Sequence, residues 1–196
     1  MFAAIPGVKV VVPSNPYDAK GLLMSAIQED NLVVFSEDKT LLGQKGNVPE
    51  EPYTIEIGKA NVTREGDDLT IVAIGKMVAV AEETAEKLAE DQVSVEVIDL
   101  RSVSPWDQET VLDSVKKTGR LIVIDESNPQ CNIAGDVASV IGDVGFDYLD
   151  GPIKKVTAPD TPVPFAANLE AAYIPNADKV LNIASELIDD LKKANA

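Results

Sequence analysis

The turn formed by Ile74, Gly75 and Lys76 is the first place where residue types and spacing suggest binding chemistry. It lies between an apolar run and an amphipathic segment, where a parallel strand passes into a helix and free backbone amides can hold an anion. The spaced glycines of a dinucleotide-binding loop and the Gly-Lys-Ser/Thr end of a phosphate loop are both missing from the sequence. We therefore favour a tight turn over a nucleotide site.

Three carboxylates follow predicted strands and could act as general acids or bases. Asp99 ends one strand, and Asp125 and Glu126 follow another, so all three are expected at the same edge of a parallel sheet. No close spacing in the sequence ties any two of them together. Capping of loops or helices is therefore the favoured interpretation.

Cys131 and Trp106 are two further candidates for chemistry. Cys131 is near a predicted helix start, which could activate its thiol, but we favour an inert, partly buried cysteine. Trp106 is placed in the first turn of a helix, where we predict a packing anchor instead of a ligand platform.

The end of the first predicted helix offers backbone oxygens instead of side chains. Residues 26–31 leave several carbonyl groups without intrahelical partners, and such oxygens can hold a hard cation. Without further information, solvent or an ordinary cap is the expected partner of these groups.

The composition excludes several classes of function. The 196 residues include no histidine and one cysteine, so Ser-His-Asp and Cys-His mechanisms, most zinc sites and intrachain disulfides lack their residues. Thirty-three acidic and seventeen basic residues give a formal charge of −16, which repels phosphate backbones and anionic lipid. The N-terminus lacks the basic start of a signal peptide. We expect a cytoplasmic protein that binds neither nucleic acid nor membranes.

Apolar runs alternate with segments of helical periodicity, which is typical of an α/β fold with a mostly parallel sheet between two helical layers. Near the N-terminus, strands are predicted at 8–12 and 33–35. Between them a helix begins after Asn15, its predicted cap, with Pro16 in the first turn. This strand-helix-strand unit is too small to bury a core by itself. We expect it to cause dimerisation or aggregation unless it packs on the larger domain.

Residues 40–53 are polar and rich in glycine and proline, so we place a domain boundary between residues 52 and 53. Beyond it, strands at 58–63 and 69–74 are predicted to form a hairpin through residues 64–68. Further strands are predicted at 93–98, 121–124 and 153–156. Amphipathic helices are predicted after residue 77, from Ser104 to Gly119, over 133–144, and near the C-terminus with Leu191 in the apolar stripe.

Several motifs make the whole chain resemble the β subunits of the thiamine-diphosphate-dependent components of 2-oxoacid dehydrogenase complexes. They are PSNPYDAKGLL at 13–23, GKA at 58–60, EVIDLR at 96–101 and KTGR at 117–120. Within this family, NVTREG at 61–66, IVAIGKMV at 71–78 and TAPDTPVPF at 157–165 look like the acetoin dehydrogenase branch. The pyruvate and branched-chain branches stay open.

The resemblance implies two domains. Residues 1–52 would be the C-terminal remnant of a domain that binds the pyrimidine ring of thiamine diphosphate, and residues 53–196 a transketolase C-terminal-like assembly domain. The family's catalytic and cofactor-binding positions in the β chain precede the part matched here, so no catalytic or cofactor-binding residue is assigned. One family site does match, a monovalent-cation site, usually potassium, built mostly from backbone oxygens at Ala26, Ile27, Glu29 and Asn31.

The resemblance also implies an activity and its partners. Members of the family transfer an acyl unit to lipoamide with thiamine diphosphate and magnesium, as α2β2 heterotetramers. The expected partners are the α subunit, a second β subunit and the dihydrolipoamide acyltransferase core. By this comparison the present chain serves assembly and cation binding and is inactive alone. Two alternatives stay open: a self-sufficient α/β module that binds a nucleotide or acidic metabolite at Gly75, and a split-gene product completed by a separate chain.

Overall fold

The structure, a computed structural model, describes the backbone of residues 2–194 and the side chains as far as Ile188. Leu191 therefore lies outside the described side chains, and residues 1, 195 and 196 of the two predicted domains lie outside the described backbone. The strands are β1 (Lys9–Val11), β2 (Val33–Phe35), β3 (Asn61–Arg64), β4 (Leu69–Ala73), β5 (Val95–Asp99), β6 (Ser102–Ser104), β7 (Leu121–Ile124) and β8 (Lys154–Val156). The helices are α1 (Pro16–Gln28), α2 (Met77–Glu90), α3 (Gln108–Thr118), α4 (Ile133–Val144), α5 (Ala167–Tyr173) and α6 (Ala177–Ala194).

The larger sheet has the strand order β3-β5-β4-β7-β8. The last four strands in this order are parallel, and β3 runs antiparallel to β5 at one edge. Every residue of β4, β5 and β7 is buried, because helices cover both faces of a sheet of this kind. This confirms the predicted α/β class with a mostly parallel sheet.

Two apolar clusters lie between the larger sheet and the helices, one on each face of the sheet. On one face, α2 and α6 cover the sheet and bury Ala81 and Val180 among the side chains of β4 and β5. On the other face, α3 and α4 bury Val111 and Val137 against Val72 and its neighbours. The three-layer α/β/α architecture is thus confirmed.

The N-terminal unit does not stand apart from this core. Its strands β1 and β2 are parallel, and β1 also pairs antiparallel with β6, which follows β5 in the larger domain. The unit therefore packs on the larger domain. Under this condition, neither dimerisation nor aggregation is predicted. Within the unit, the side chain of Asn15 caps α1 by accepting from the backbone N–H of Asp18, as predicted.

The predicted linker lies along α1. The Lys20 ammonium donates to the backbone carbonyls of residues 49–51, and the Ile55 N–H donates to the Gly21 carbonyl at 3.2 Å. Gly21 is needed for this approach, because a Cβ at that position would lie 2.6 Å from Ile55. The domain boundary between residues 52 and 53 stays a prediction.

Two local predictions are wrong. The strands β3 and β4 do not form a hairpin, because β5 lies between them and pairs with both. The helix predicted from Ser104 begins at Gln108, since Asp107 is its cap and accepts from the Thr110 N–H at 3.2 Å, while Ser104 belongs to β6. The sequence patterns did not predict β6 or α5.

None of the helices within residues 2–194 has both the length and the apolar character that crossing a bilayer requires.

Candidate functional site

A crevice opens at the carboxyl edge of the larger sheet, between the ends of β4 and β7. These strands are parallel neighbours, but the helices that follow them, α2 and α4, cover opposite faces of the sheet. The two connections therefore diverge, as at the topological switch points where open α/β sheets bind ligands. The resulting crevice has a volume of about 530 Å³ and includes Gly75, Lys76, Asp125 and Glu126 in its walls. It is the candidate site that the fold itself provides.

Lys76 is held in this crevice by two carboxylates. Its ammonium lies 3.4 Å from a carboxylate oxygen of Asp38, in the N-terminal unit, and closer to a carboxylate oxygen of Glu126, after β7. Burial alone would lower the pKa of Lys76, but these two carboxylates outweigh it and raise the pKa. Lys76 is thus a cation already engaged by protein. An anionic ligand at the Gly75 turn would have to compete with both carboxylates.

Gly75 itself adopts the left-handed conformation, with φ of 55°. A Cβ there would lie 3.2 Å from a side-chain carbon of Val12. The tight turn that we favoured from the sequence fits this geometry better than a phosphate cradle does.

The three candidate acid–base carboxylates have separate partners. Asp99 is fully buried and accepts from Ser14 Oγ and from the Arg101 N–H, the latter at 2.9 Å. Asp125 is 4% exposed and accepts from the Ser127 N–H at 2.9 Å. Glu126 pairs with Lys76. The backbone contacts of Asp99 and Asp125 fit the capping of loops that we favoured, whereas Glu126 forms an ion pair.

Burial gives Asp99 an unusual proton affinity. Because the side chain is withdrawn from water, the pKa of Asp99 rises to about 6, although the hydrogen bonds from Ser14 and Arg101 oppose the rise. The negative charge of Asp18 adds to the increase. Asp99 therefore titrates much closer to neutral pH than an ordinary aspartate does.

Arg101 links this carboxylate to the N-terminal unit. Its guanidinium contacts the carboxylate of Asp18, which is 1% exposed on α1, at 2.5 Å. Ser14, Asp18, Asp99 and Arg101 thus form a polar cluster between the N-terminal unit and the larger domain. Sequence analysis missed this cluster, and no local pattern in the sequence could have paired residues 14 and 18 with residues 99 and 101.

Trp106 has the contacts of the predicted packing anchor, whereas Cys131 is not partly buried as predicted. Trp106 precedes α3 instead of lying in its first turn, but it is 8% exposed and donates from Nε1 to Asp136 at 2.9 Å, as a packing anchor would. Cys131 is exposed, with φ of 52°, so the prediction of a partly buried thiol is wrong. Gln130 beside it is also exposed, and α4 begins only at Ile133.

The residues predicted to bind a monovalent cation lie together at the end of α1. The helix ends at Gln28, so the carbonyls of Ala26 and Ile27 have lost their next intrahelical donors, and Glu29 is extended with ψ of 134°. The Glu29 carboxylate pairs with the Lys9 ammonium, which is the main cause of its lowered pKa. The Asn31 amide points to the same carboxylate at 3.5 Å. The assignment of Ala26, Ile27, Glu29 and Asn31 stays a prediction.

Within the described part of the chain, no group of three or more acidic, cysteine or histidine side chains is arranged to hold a metal ion. The residues present thus do not make a magnesium site of that kind. The one cation site that the sequence suggests depends on backbone oxygens.

Two family comparisons cover most of the chain. Residues 58–180 match the family described as transketolase, C-terminal domain, and residues 1–45 match the transketolase, pyrimidine binding domain. Among solved structures, the chain is similar to one described as a split gene transketolase, inactive beta4 tetramer, with a TM-score of 0.81 and 25% identity. That likeness covers 96% of this chain and 59% of the solved one.

Curated relatives give a narrower grouping. The chain is 53% identical over 190 residues to the acetoin:2,6-dichlorophenolindophenol oxidoreductase subunit beta of Bacillus subtilis, covering 97% of this chain and 56% of the relative. It is 48% identical to the subunit of the same name from Cupriavidus necator, covering 92% of this chain and 53% of the relative. It is 47% identical to the pyruvate dehydrogenase E1 component subunit beta of Bacillus subtilis, covering 96% and 58%. The chain thus spans little more than half the length of these relatives. It belongs to the transketolase C-terminal domain family, and its sequence groups it with the β subunits of acetoin and pyruvate dehydrogenases.

Proposed function

We propose that this chain is the assembly and cation-binding part of the β subunit of a thiamine-diphosphate-dependent acetoin dehydrogenase or related 2-oxoacid dehydrogenase. The observation that carries the proposal is the 53% identity over 97% of the chain to an acetoin oxidoreductase β subunit. In the complete cytoplasmic enzyme, the acyl unit taken from the substrate passes to lipoamide. The similarity to pyruvate dehydrogenase β subunits, at 47% identity, keeps pyruvate as the second substrate candidate.

The chain alone is proposed to be inactive. It carries no histidine that could relay protons, and its match to the pyrimidine-binding family is limited to residues 1–45. The described residues offer no cluster of side chains for the magnesium ion that accompanies thiamine diphosphate. The solved relative with TM-score 0.81 is itself described as an inactive β tetramer. We therefore assign the bond-breaking groups to polypeptide outside this sequence.

A monovalent-cation site at the end of α1 is the second part of the proposal. The helix end at Gln28 and the extended Glu29 turn successive carbonyls away from the helical hydrogen-bond pattern, which suits a potassium ion coordinated by oxygen. Because the Lys9 ammonium engages the Glu29 carboxylate, the backbone oxygens would supply the ligands. The midpoint temperature of thermal unfolding should be higher in potassium chloride than in choline chloride at equal ionic strength. Equal midpoints in the two salts would contradict the site.

The proposed partners are the α subunit, a second β subunit and the dihydrolipoamide acyltransferase core. The charge of −16 favours a basic surface on at least one of them and predicts that association weakens as salt rises. Association with the acyltransferase core that does not change with ionic strength would remove this electrostatic part of the proposal.

A reconstitution experiment tests the proposal directly. The chain should neither bind thiamine diphosphate with magnesium nor turn over acetoin or pyruvate. Turnover should appear when the α subunit is added together with the segment of a related β subunit that this chain does not match. Turnover by the chain alone would overturn the proposal, and so would failure of the complete mixture under conditions where an intact β subunit is active. Stabilisation by an adenine nucleotide would instead support a nucleotide-binding module.

A further inference from the structure

The ion pair between Lys9 and Glu29 involves one of the residues whose backbone oxygens are proposed to bind potassium. Lys9 begins β1, and its backbone N–H donates to the Leu32 carbonyl at 3.0 Å, so β1 starts beside the turn that connects α1 to β2. The Lys9 ammonium contacts the carboxylate of Glu29, which lies in the same turn. A residue of the neighbouring strand therefore sets the charge at this helix end.

The backbone oxygens at this helix end are free of backbone donors. In the part of the chain that the structure describes, no backbone N–H donates to the carbonyls of Ala26, Ile27, Glu29 or Asn31. Carbonyl oxygens are neutral dipoles, and in potassium channels such oxygens alone replace the hydration shell of the ion. Calcium sites instead include carboxylates, and the number of charged ligands sets their affinity. This donor set therefore fits potassium better than calcium.

The Glu29 carboxylate would change this preference if its charge were uncompensated. It belongs to one of the four residues of the proposed site, so its charge acts on a bound ion at short range. Coulombic attraction is proportional to the charge of the ion, so a free carboxylate would favour a divalent ion twice as strongly as a monovalent one. In the structure, however, the Lys9 ammonium contacts one carboxylate oxygen, and the Asn31 amide nitrogen lies 3.5 Å from the other.

The pair is sheltered enough for this compensation to persist in salt. The Lys9 side chain is 28% exposed and the Glu29 side chain 24% exposed, so solvent screens their interaction less than that of a fully exposed pair. The hydrogen bond from Lys9 is the main reason that the pKa of Glu29 lies below its ordinary value. Glu29 is therefore ionised at neutral pH, and its charge is balanced by Lys9.

We propose that Lys9 is a specificity-determining residue of the cation site: by pairing with the Glu29 carboxylate, it withholds that charge from a bound ion and so makes the site select potassium over calcium. Lys9 acts through Glu29 and does not contact the ion. This inference rests on the cation site proposed above and extends it, because the backbone oxygens determine where an ion binds and Lys9 determines which ionic charge is accepted.

Titrations of the isotopically labelled chain with potassium chloride and with calcium chloride test the inference. Amide NMR shifts of residues 26–32 give both dissociation constants, with choline chloride keeping the ionic strength constant. In the unaltered chain, potassium should give saturable shifts and calcium should bind no more tightly than potassium. Lys9→Met keeps the length of the side chain without its charge, and the affinity for calcium relative to potassium should rise about tenfold. Adding Glu29→Gln to this variant should abolish the rise, because both charges are then gone.

Lys116→Met is the matched control. It also removes a lysine that is paired with a carboxylate, that of Asp113 at 2.9 Å, but on α3. The relative affinity for the two ions should stay unchanged in this variant.

The outcomes separate the inference from the cation site itself. An unchanged relative affinity in a folded Lys9→Met variant overturns the inference, and so does tighter binding of calcium than of potassium by the unaltered chain. Absence of saturable potassium shifts in the unaltered chain overturns the cation site and the inference with it. If Lys9→Met does not fold, Glu29→Gln decides: Lys9 is then uncompensated, so calcium binding should weaken more than potassium binding, and equal effects on the two ions overturn the inference.

Discussion

Ser14 donates a hydrogen bond to a carboxylate oxygen of Asp99, which lies 85 residues further along the chain. Ser14 precedes α1 in the N-terminal unit, and Asp99 ends β5 in the larger domain. Both side chains are buried. The contact therefore joins the two parts of the chain at a place from which water is excluded, and its strength depends on the protonation of one carboxyl group.

The first prediction concerns the pH dependence of stability. Burial raises the pKa of Asp99 from 3.8 to about 6, so the folded state binds this proton more tightly than the unfolded state does. The stabilisation that comes from this tighter proton binding is complete below the unfolded pKa and is lost as the pH rises through about 6. As the pH falls from about 7.5 to about 5, protonation of Asp99 should therefore raise the free energy of unfolding by about 1 to 1.5 kcal/mol, as measured by urea denaturation.

Asp99→Asn provides the control for this prediction. The amide cannot ionise, yet it can still accept from the Arg101 N–H and exchange a hydrogen bond with Ser14. The variant should therefore lose the gain between pH 7.5 and pH 5, while all other titrations stay in place. A variant with the same pH dependence as the unaltered chain would show that another group is responsible.

The second prediction concerns Arg101 and its buried partner. Arg101→Ala leaves the carboxylate of Asp18, which is 1% exposed, without its guanidinium. Breaking a buried ion pair on one side costs about 3 to 5 kcal/mol, so urea denaturation should show a large loss. Adding Asp18→Asn to this variant should restore part of the stability, because it removes the uncompensated charge.

A surface arginine serves as the comparison. Arg64 pairs with Glu82 at 3.1 Å, but both side chains are about one third exposed. Arg64→Ala should therefore cost no more than about 1 kcal/mol. Equal losses of unfolding free energy in Arg64→Ala and Arg101→Ala would contradict the prediction that the buried ion pair contributes more to stability than a surface ion pair.

The polar cluster also shows which features of the structure the sequence could predict and which it could not. Local signals worked well where one segment decides its own structure: Asn15 caps α1, and Gly119 ends α3 in the left-handed conformation. The pairs Ser14 with Asp99 and Asp18 with Arg101 depend on how distant segments meet, and periodicity carries no information about that. The crevice was likewise predicted only as a turn and a set of strand ends.

The hairpin error has a related cause. Strands separated by five turn-like residues usually pair, but here β5 enters between β3 and β4 and pairs with both. Every residue of β4 and β5 is buried, so both faces of the sheet gain from placing them side by side. The connection between β3 and β4 therefore crosses the end of β5, and Gly66 marks the crossing.

The third prediction tests this crossing. A Cβ at Gly66 would lie 2.2 Å from the Val95 carbonyl carbon and 2.4 Å from the Glu96 nitrogen, both of them backbone atoms that cannot turn aside. Gly66→Ala should therefore destabilise the chain by about 2 to 3 kcal/mol through overpacking. Gly43→Ala is the matched control, because nothing lies within 4 Å of its added Cβ. A Gly66→Ala variant as stable as Gly43→Ala would contradict the close approach to β5.

The fourth prediction concerns a hydroxyl network beneath α3. Thr70 on β4 is fully buried, and its Oγ1 lies 2.7 Å from Ser114 Oγ and 2.6 Å from Thr118 Oγ1. Thr70→Val keeps the shape but leaves Ser114 without this partner, whereas Thr118 still bonds to the Ser114 carbonyl at 3.1 Å. The free energy of unfolding should fall by about 1 to 2 kcal/mol. Replacing Ser114 by alanine in the same variant should recover part of the loss, since removing both partners is close to neutral. A double variant no more stable than Thr70→Val alone would contradict the predicted partnership between the two hydroxyls.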